Sequence, residues 1–124
     1  MPPTPKSEDA LTQHYYPTEH QGKPATIMMG WDRPLQGFFM VIEDGQNRGK
    51  YIYSNLDDPE LIQFGGLPPC LDPFLAKLEA LGLSVPDVML DAIELDAALN
   101  EGNRRVEYNR DGSVKPQENK SAGR

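Results

Sequence analysis

Two stretches of this chain carry side chains whose types and spacing could do chemistry. In GWDRPLQGFFMVIEDG, residues 30–45, Asp32 and Arg33 directly follow Trp31. A carboxylate beside a guanidinium can clamp a substrate, and Trp and Arg are the types most enriched in binding hot spots. Further on, Asp87, Asp91 and Glu94 recur at spacings of four and three, with Glu101 one face-repeat later. On a helix these carboxylates share one face. Such a row is either solvated or a docking surface for a basic partner. The other reactive types are poorly placed. Cys70 lies between prolines in LPPCLDP, with no histidine in the segment expected to fold, and is expected to be a buried structural thiol. His14 and His20 have no Cys, Asp or Glu at ligand spacing, so no metal site is expected. Gly65-Gly66 lacks the later glycine and lysine of a phosphate-binding loop. No cofactor and no catalytic residue is expected.

Composition narrows the class. A chain of 124 residues is one domain's worth. Between residues 24 and 100, four basic and twelve acidic side chains give −8, whereas six basic and four acidic ones after residue 100 give +2. Direct nucleic-acid binding needs a basic surface, which the acidic segment lacks. One cysteine cannot form an internal disulfide. The N-terminal segment has no apolar stretch of signal-peptide type, and no run approaches the ~20 apolar residues that cross a bilayer. These features predict a cytoplasmic protein without membrane contact.

The elements that must position these groups are read from periodicity. Five prolines fall in residues 1–24, which are expected to be a disordered tail, with the Tyr15–Tyr16 pair as its one candidate for docking. Residues 25–100 are expected to form the single domain, and 101–124 a mostly disordered polar tail, although Asp111-Gly112 could turn a short hairpin there. ATIMMGW, GFFMVIE and KYIYS read as three strands. A hairpin loop of about five residues, Asp32 to Gln36, joins the first two. A register with Glu43 opposite Lys50 joins the second and third, setting Ile42 against Tyr51 and Met40 against Tyr53. Then LDDPELIQFGG predicts a short helix capped by Asp58, and LDPFLAKLEALG a second, with Phe74, Leu75, Leu78 and Leu81 as its apolar stripe. SVPDVMLDAIELDAALN predicts the longest helix, capped by Ser84, with Val88, Ala92, Leu95 and Leu99 facing the sheet. The fold expected is α+β: a three-stranded antiparallel meander followed by two main helices packed on one sheet face.

In that register both sheet faces are apolar. One carries Ile27, Met29, Trp31, Phe39, Val41 and Ile52, the other Met28, Phe38, Met40, Ile42, Tyr51 and Tyr53. Helices cover one face only, so the second is expected to be an interface. GWDRPL, the Phe38–Phe39 pair and YSN after the next strand resemble a pattern in a group of small uncharacterised bacterial proteins. The resemblance spans about residues 28 to 99; it implies an intracellular bacterial protein and carries no activity, cofactor or catalytic residue. The function expected is a non-enzymatic protein–protein interaction module whose partner is itself, a homodimer through the sheet. Its contact residues would be Arg33, Phe38, Met40, Tyr51 and Tyr53, with Asp87, Asp91 and Glu94 on the helix. Two alternatives stand beside it: an acidic inhibitor or nucleic-acid mimic that blocks a basic site, and a small enzyme using Asp32 and Arg33.

Overall fold

The computed structural model describes residues 10–47 and 49–116. Its centre is a five-stranded sheet of strands β1 (Thr12–His20), β2 (Lys23–Asp32), β3 (Gly37–Asp44), β4 (Tyr51–Ser54) and β5 (Arg104–Glu107), in the order β4-β3-β2-β1-β5. β5 runs parallel to β1 and all other neighbours are antiparallel. The sheet is therefore mixed and draws on both ends of the chain, where a three-stranded meander between disordered tails was expected. Residues 12–20 escape a periodicity search because their inward positions are Thr12, His14 and Tyr16, polar or amphipathic groups. Gln21 and Gly22, both at positive φ, close the β1–β2 hairpin by a two-residue turn. Pro17 fits because Tyr15 accepts from the Tyr108 amide, so odd-numbered β1 residues turn their backbone groups toward β5. β5 ends opposite Tyr15, and Pro17 lies beyond it, where a missing N–H costs nothing. The expected tail segments 1–9 and 117–124 lie outside the described residues.

The β2–β3 loop is four residues long, not five, with Asp32 opposite Gly37. The segment is closed as its turn chemistry predicts: Asp32 Oδ1 accepts from the Leu35 amide, and the Gln36 amide donates to the Asp32 carbonyl. One residue fewer turns β3 over. Ile27, Met29 and Trp31 therefore share a face with Ile42, Met40 and Phe38, and not with Phe39 and Val41. A bulge between Ile42 and Glu43 likewise replaces the expected pairing with β4, placing Tyr53 opposite Ile42 and Tyr51 opposite Glu43.

Both helices, α1 (Asp72–Ala80) and α2 (Asp87–Leu99), pack on this inner face. Phe74 and Leu78 of α1 and Met89 and Ile93 of α2 are buried against Ile27, Met29, Met40 and Ile42. Residues 58–65 follow their sequence grammar closely. Asp58 caps a short 3-10 helix by accepting from the Glu60 amide, and Gly65 ends it at φ 64°. α1 and α2 start without side-chain caps, at Leu71 and Pro86, so Ser84 does not cap α2. Among the described residues no helix is long and apolar enough to cross a membrane.

Candidate functional site

α2 is rotated from its expected setting by about one residue, or 100°. Val88, Leu95 and Leu99, expected to face the sheet, are 54%, 57% and 60% exposed. The inward stripe is Met89, Ile93 and Asp96. A carboxylate there is admissible only if its charge is met. His14 of β1 meets it: its Nε2 lies 2.6 Å from Asp96 Oδ2, and its Nδ1 2.9 Å from the Tyr108 hydroxyl. Arg104 Nε lies 3.5 Å from the other Asp96 oxygen. His14 is fully buried, and Tyr108 and Asp96 are nearly so. Burial pushes the Tyr108 hydroxyl up to about 12, with Arg104 lowering it and Asp96 raising it. The tyrosine therefore keeps its proton. One proton arrangement then satisfies every member: Tyr108 O–H donates to Nδ1, and Nε2–H donates to Asp96, whose charge faces Arg104.

An imidazole between a carboxylate and a hydroxyl is also the arrangement that activates a nucleophile. Here the hydroxyl is buried together with the histidine it meets. What the cluster does is tie β1, α2 and the chain after β5 into one core. Neither His14 nor Tyr108 was legible as a core residue, because both fall in segments read as tails. Asp96 does leave a signal: it continues the Met89–Ile93 stripe at the next helical step, where a lone carboxylate implies a buried counterpart.

The residues singled out from sequence are scattered by the fold. Phe38 and Met40 are buried in the core and offer no partner surface, because the shorter loop turned them inward. Phe39 takes the outer side instead, its ring lying over Gly30, where a Cβ would come within 2.8 Å of Cζ. Tyr51 is exposed at the β4 edge, beside Tyr53, whose hydroxyl donates to Asp58 Oδ2 at 2.6 Å. They line a shallow cleft of about 280 Å³ with Lys77. Arg33 is exposed on the loop, with its guanidinium against Gly102. Among the described residues it has no carboxylate within 4.0 Å, and Asp32 does not pair with it. The loop instead docks on the C-terminal end of α2, where Asn100 Oδ1 accepts from both Trp31 Nε1 (3.1 Å) and Gln36 Nε2 (2.7 Å).

Asp58 lends the β4 end an acid-sensitive hold. Burial works against its charged form, but the Tyr53 hydroxyl, the Glu60 amide and Lys77 outweigh that and hold the carboxyl below the ordinary range. A depressed carboxyl stabilises fully above its unfolded pKa of about 4 and loses that contribution as pH falls through the lower folded value. Asp58→Ala is therefore expected to cost about 1–2 kcal/mol at neutral pH. The deficit should shrink at about pH 3. Urea unfolding at the two pH values measures this, and an undiminished deficit in acid would refute the charge-based account.

Asp87, Asp91 and Glu94 do come together, in one exposed row on α2. Beside the row runs a second, apolar one of Val88, Ala92, Leu95 and Leu99, at spacings of four, three and four. On its other side a groove of about 480 Å³ separates the apolar row from β5, lined by Val88, Ala92, Arg104 and Val114. Val114 stands there because Tyr108 and Val114 form a bridge across the Asp111-Gly112 turn. α2 thus has three faces: a buried one, an exposed apolar one and an acidic one. Compared with known families, curated proteins and solved structures, the chain matches none.

Proposed function

We propose that the chain is a non-enzymatic protein–protein interaction module that presents the outward face of α2, not the sheet. The observation that carries this reading is the apolar row on α2 in which Val88, Leu95 and Leu99 are exposed and Ala92 is half-buried between them. Apolar side chains at heptad spacing are what a helix offers to another helix. A contiguous exposed apolar patch marks an interaction surface. A second reading keeps the acidic row as the business end: Asp87, Asp91 and Glu94 would occupy a basic site on a partner, as an acidic inhibitor or nucleic-acid mimic does.

The two readings separate on one pair of variants. Leu95→Gln with Leu99→Gln is expected to leave unfolding within about 0.5 kcal/mol per site, as exposed positions do. The same variant should lose the partners that the intact chain captures from the cell that makes it. Asp91→Asn with Glu94→Gln should leave most of that capture in place. Undiminished capture by the Leu95/Leu99 variant would overturn the α2 apolar-face reading, and loss of salt-sensitive capture in the acidic-row variant alone would establish the second.

A further inference from the structure

We infer that the occupant of the α2 face is a basic amphipathic helix of another protein. Its apolar stripe packs on Val88, Ala92, Leu95 and Leu99, and its lysines or arginines face Asp87, Asp91 and Glu94. The inference rests on the reading of that face as a docking surface and adds the chemistry of its occupant.

Spacing sets the shape of the occupant. In heptad terms Val88 and Leu95 stand at d, and Ala92 and Leu99 at a. The row is about 16 Å long, three turns of helix, and suits the apolar stripe of a helix of similar length. Ala92 is small and also lines the groove beside the row, which leaves room for a larger side chain of the partner.

Charge sets its composition. Asp87, Asp91 and Glu94 run along one flank of the row, all exposed. Among the described residues none of the three has a basic side chain within 4.0 Å. Asp91 stands four residues from Asp87 and three from Glu94, and like charges at these spacings destabilise a helix. A basic partner replaces that repulsion with attraction. The other flank makes no such demand. Arg104 there is taken by Asp96 at 3.5 Å. Arg105 lies over the Tyr15 ring, on the sheet face away from α2, and pairs with Glu107. Val106, Tyr108 and Val114 give the groove an apolar wall. The occupant therefore needs basic residues along one side of its stripe only. α2 carries four acidic side chains and no basic one, so the same helix of a second copy cannot supply them. Nucleic acid and anionic membranes have the acidic row's own sign and are repelled by it.

The test uses the purified full chain and a fluorescent synthetic peptide of about five helical turns, with leucine at a and d and lysine at e and g. The peptide is used at nanomolar concentration to keep it from pairing with itself. Cys70 is exposed, not buried as its sequence setting suggests, so a reductant keeps disulfide-linked copies out of the readout. Fluorescence anisotropy is expected to show micromolar binding that weakens with added salt. Leu95→Gln with Leu99→Gln should weaken it by about tenfold or more, and Asp91→Asn with Glu94→Gln by about two- to fivefold with a shallower salt dependence. A peptide with glutamate in place of each lysine should not bind, nor should one of the same composition with its leucines moved off the stripe. Binding that ignores the Leu95/Leu99 substitutions overturns the occupant and the docking face together. Equal binding of the glutamate peptide, or no binding of the lysine peptide, overturns the basic occupant alone. The docking face then stands if the Leu95/Leu99 variant still loses a captured partner. A wild-type chain that sediments as a dimer, and turns monomeric on the Leu95/Leu99 substitutions, overturns the basic occupant in favour of a second copy.

Discussion

Asp96→Ala is expected to destabilise the domain by about 3–5 kcal/mol and to lower the midpoint of thermal unfolding by about 10–20 °C. The magnitude comes from what the substitution leaves behind. His14 Nε2–H, 2.6 Å from the lost carboxylate, has no water to turn to at full burial. An unpartnered buried polar group carries its whole desolvation penalty. Tyr108→Phe removes one hydroxyl and one hydrogen bond, and should cost only about 1 kcal/mol. The decisive comparison is a double variant, His14→Leu with Asp96→Leu. Replacing a buried polar pair by apolar side chains is often far milder than breaking it. The double variant should therefore be more stable than Asp96→Ala. Far-UV circular dichroism against urea measures all three, and a double variant less stable than Asp96→Ala would contradict the account of His14 and Asp96 as mutually satisfying core groups.

Trp31→Ala is the second large effect, about 3–5 kcal/mol by truncation of a buried aromatic. Trp31 is 7% exposed, stands edge-on to Phe38 at 5.0 Å and donates its indole N–H to Asn100. Its loss opens a cavity between β2, β3 and the end of α2, and takes one of the two donors that hold the Asn100 side chain. Trp31→Phe keeps most of the ring and loses the N–H, so it should recover more than half of the deficit. As Trp31 is the sole tryptophan, unfolding must be followed by circular dichroism, not by tryptophan fluorescence. A Trp31→Ala variant within 1 kcal/mol of wild type would mean that the loop and α2 hold together without it.

How much of this was legible follows from the range of each cause. β2, β3, β4 and the Asp58–Gly65 segment were legible because apolar runs, turn residues and caps act through neighbours a few positions away. The sidedness of β3 was not. GFFMVIE is apolar at both parities, Phe38, Met40 and Ile42 against Phe39 and Val41, so no pattern selects the inner set. A loop of four or of five residues suits Asp32 and Pro34 equally well, and that one residue decides it. β1 and β5 were missed because their inward positions, Thr12, His14 and Arg104, are stable there only beside partners from elsewhere. Tyr51 and Tyr53 were found on the right strand and in the wrong register, since a bulge leaves no sequence mark at Ile42.

α2 divides the two kinds of information most sharply. Its sequence by itself determined a helix with two apolar rows and one acidic row, since helical periodicity depends only on spacing. Which apolar row went inside was a tertiary decision. By apolarity alone Val88, Ala92, Leu95 and Leu99 would be buried, because the rival row ends in Asp96. Asp96 is accepted in the core because His14, 82 residues away in sequence, and Arg104 supply the proton and the charge it needs there. Spacing reports which side chains share a face; whether a charge on that face can leave water depends on its partner, and the partner is brought by the fold.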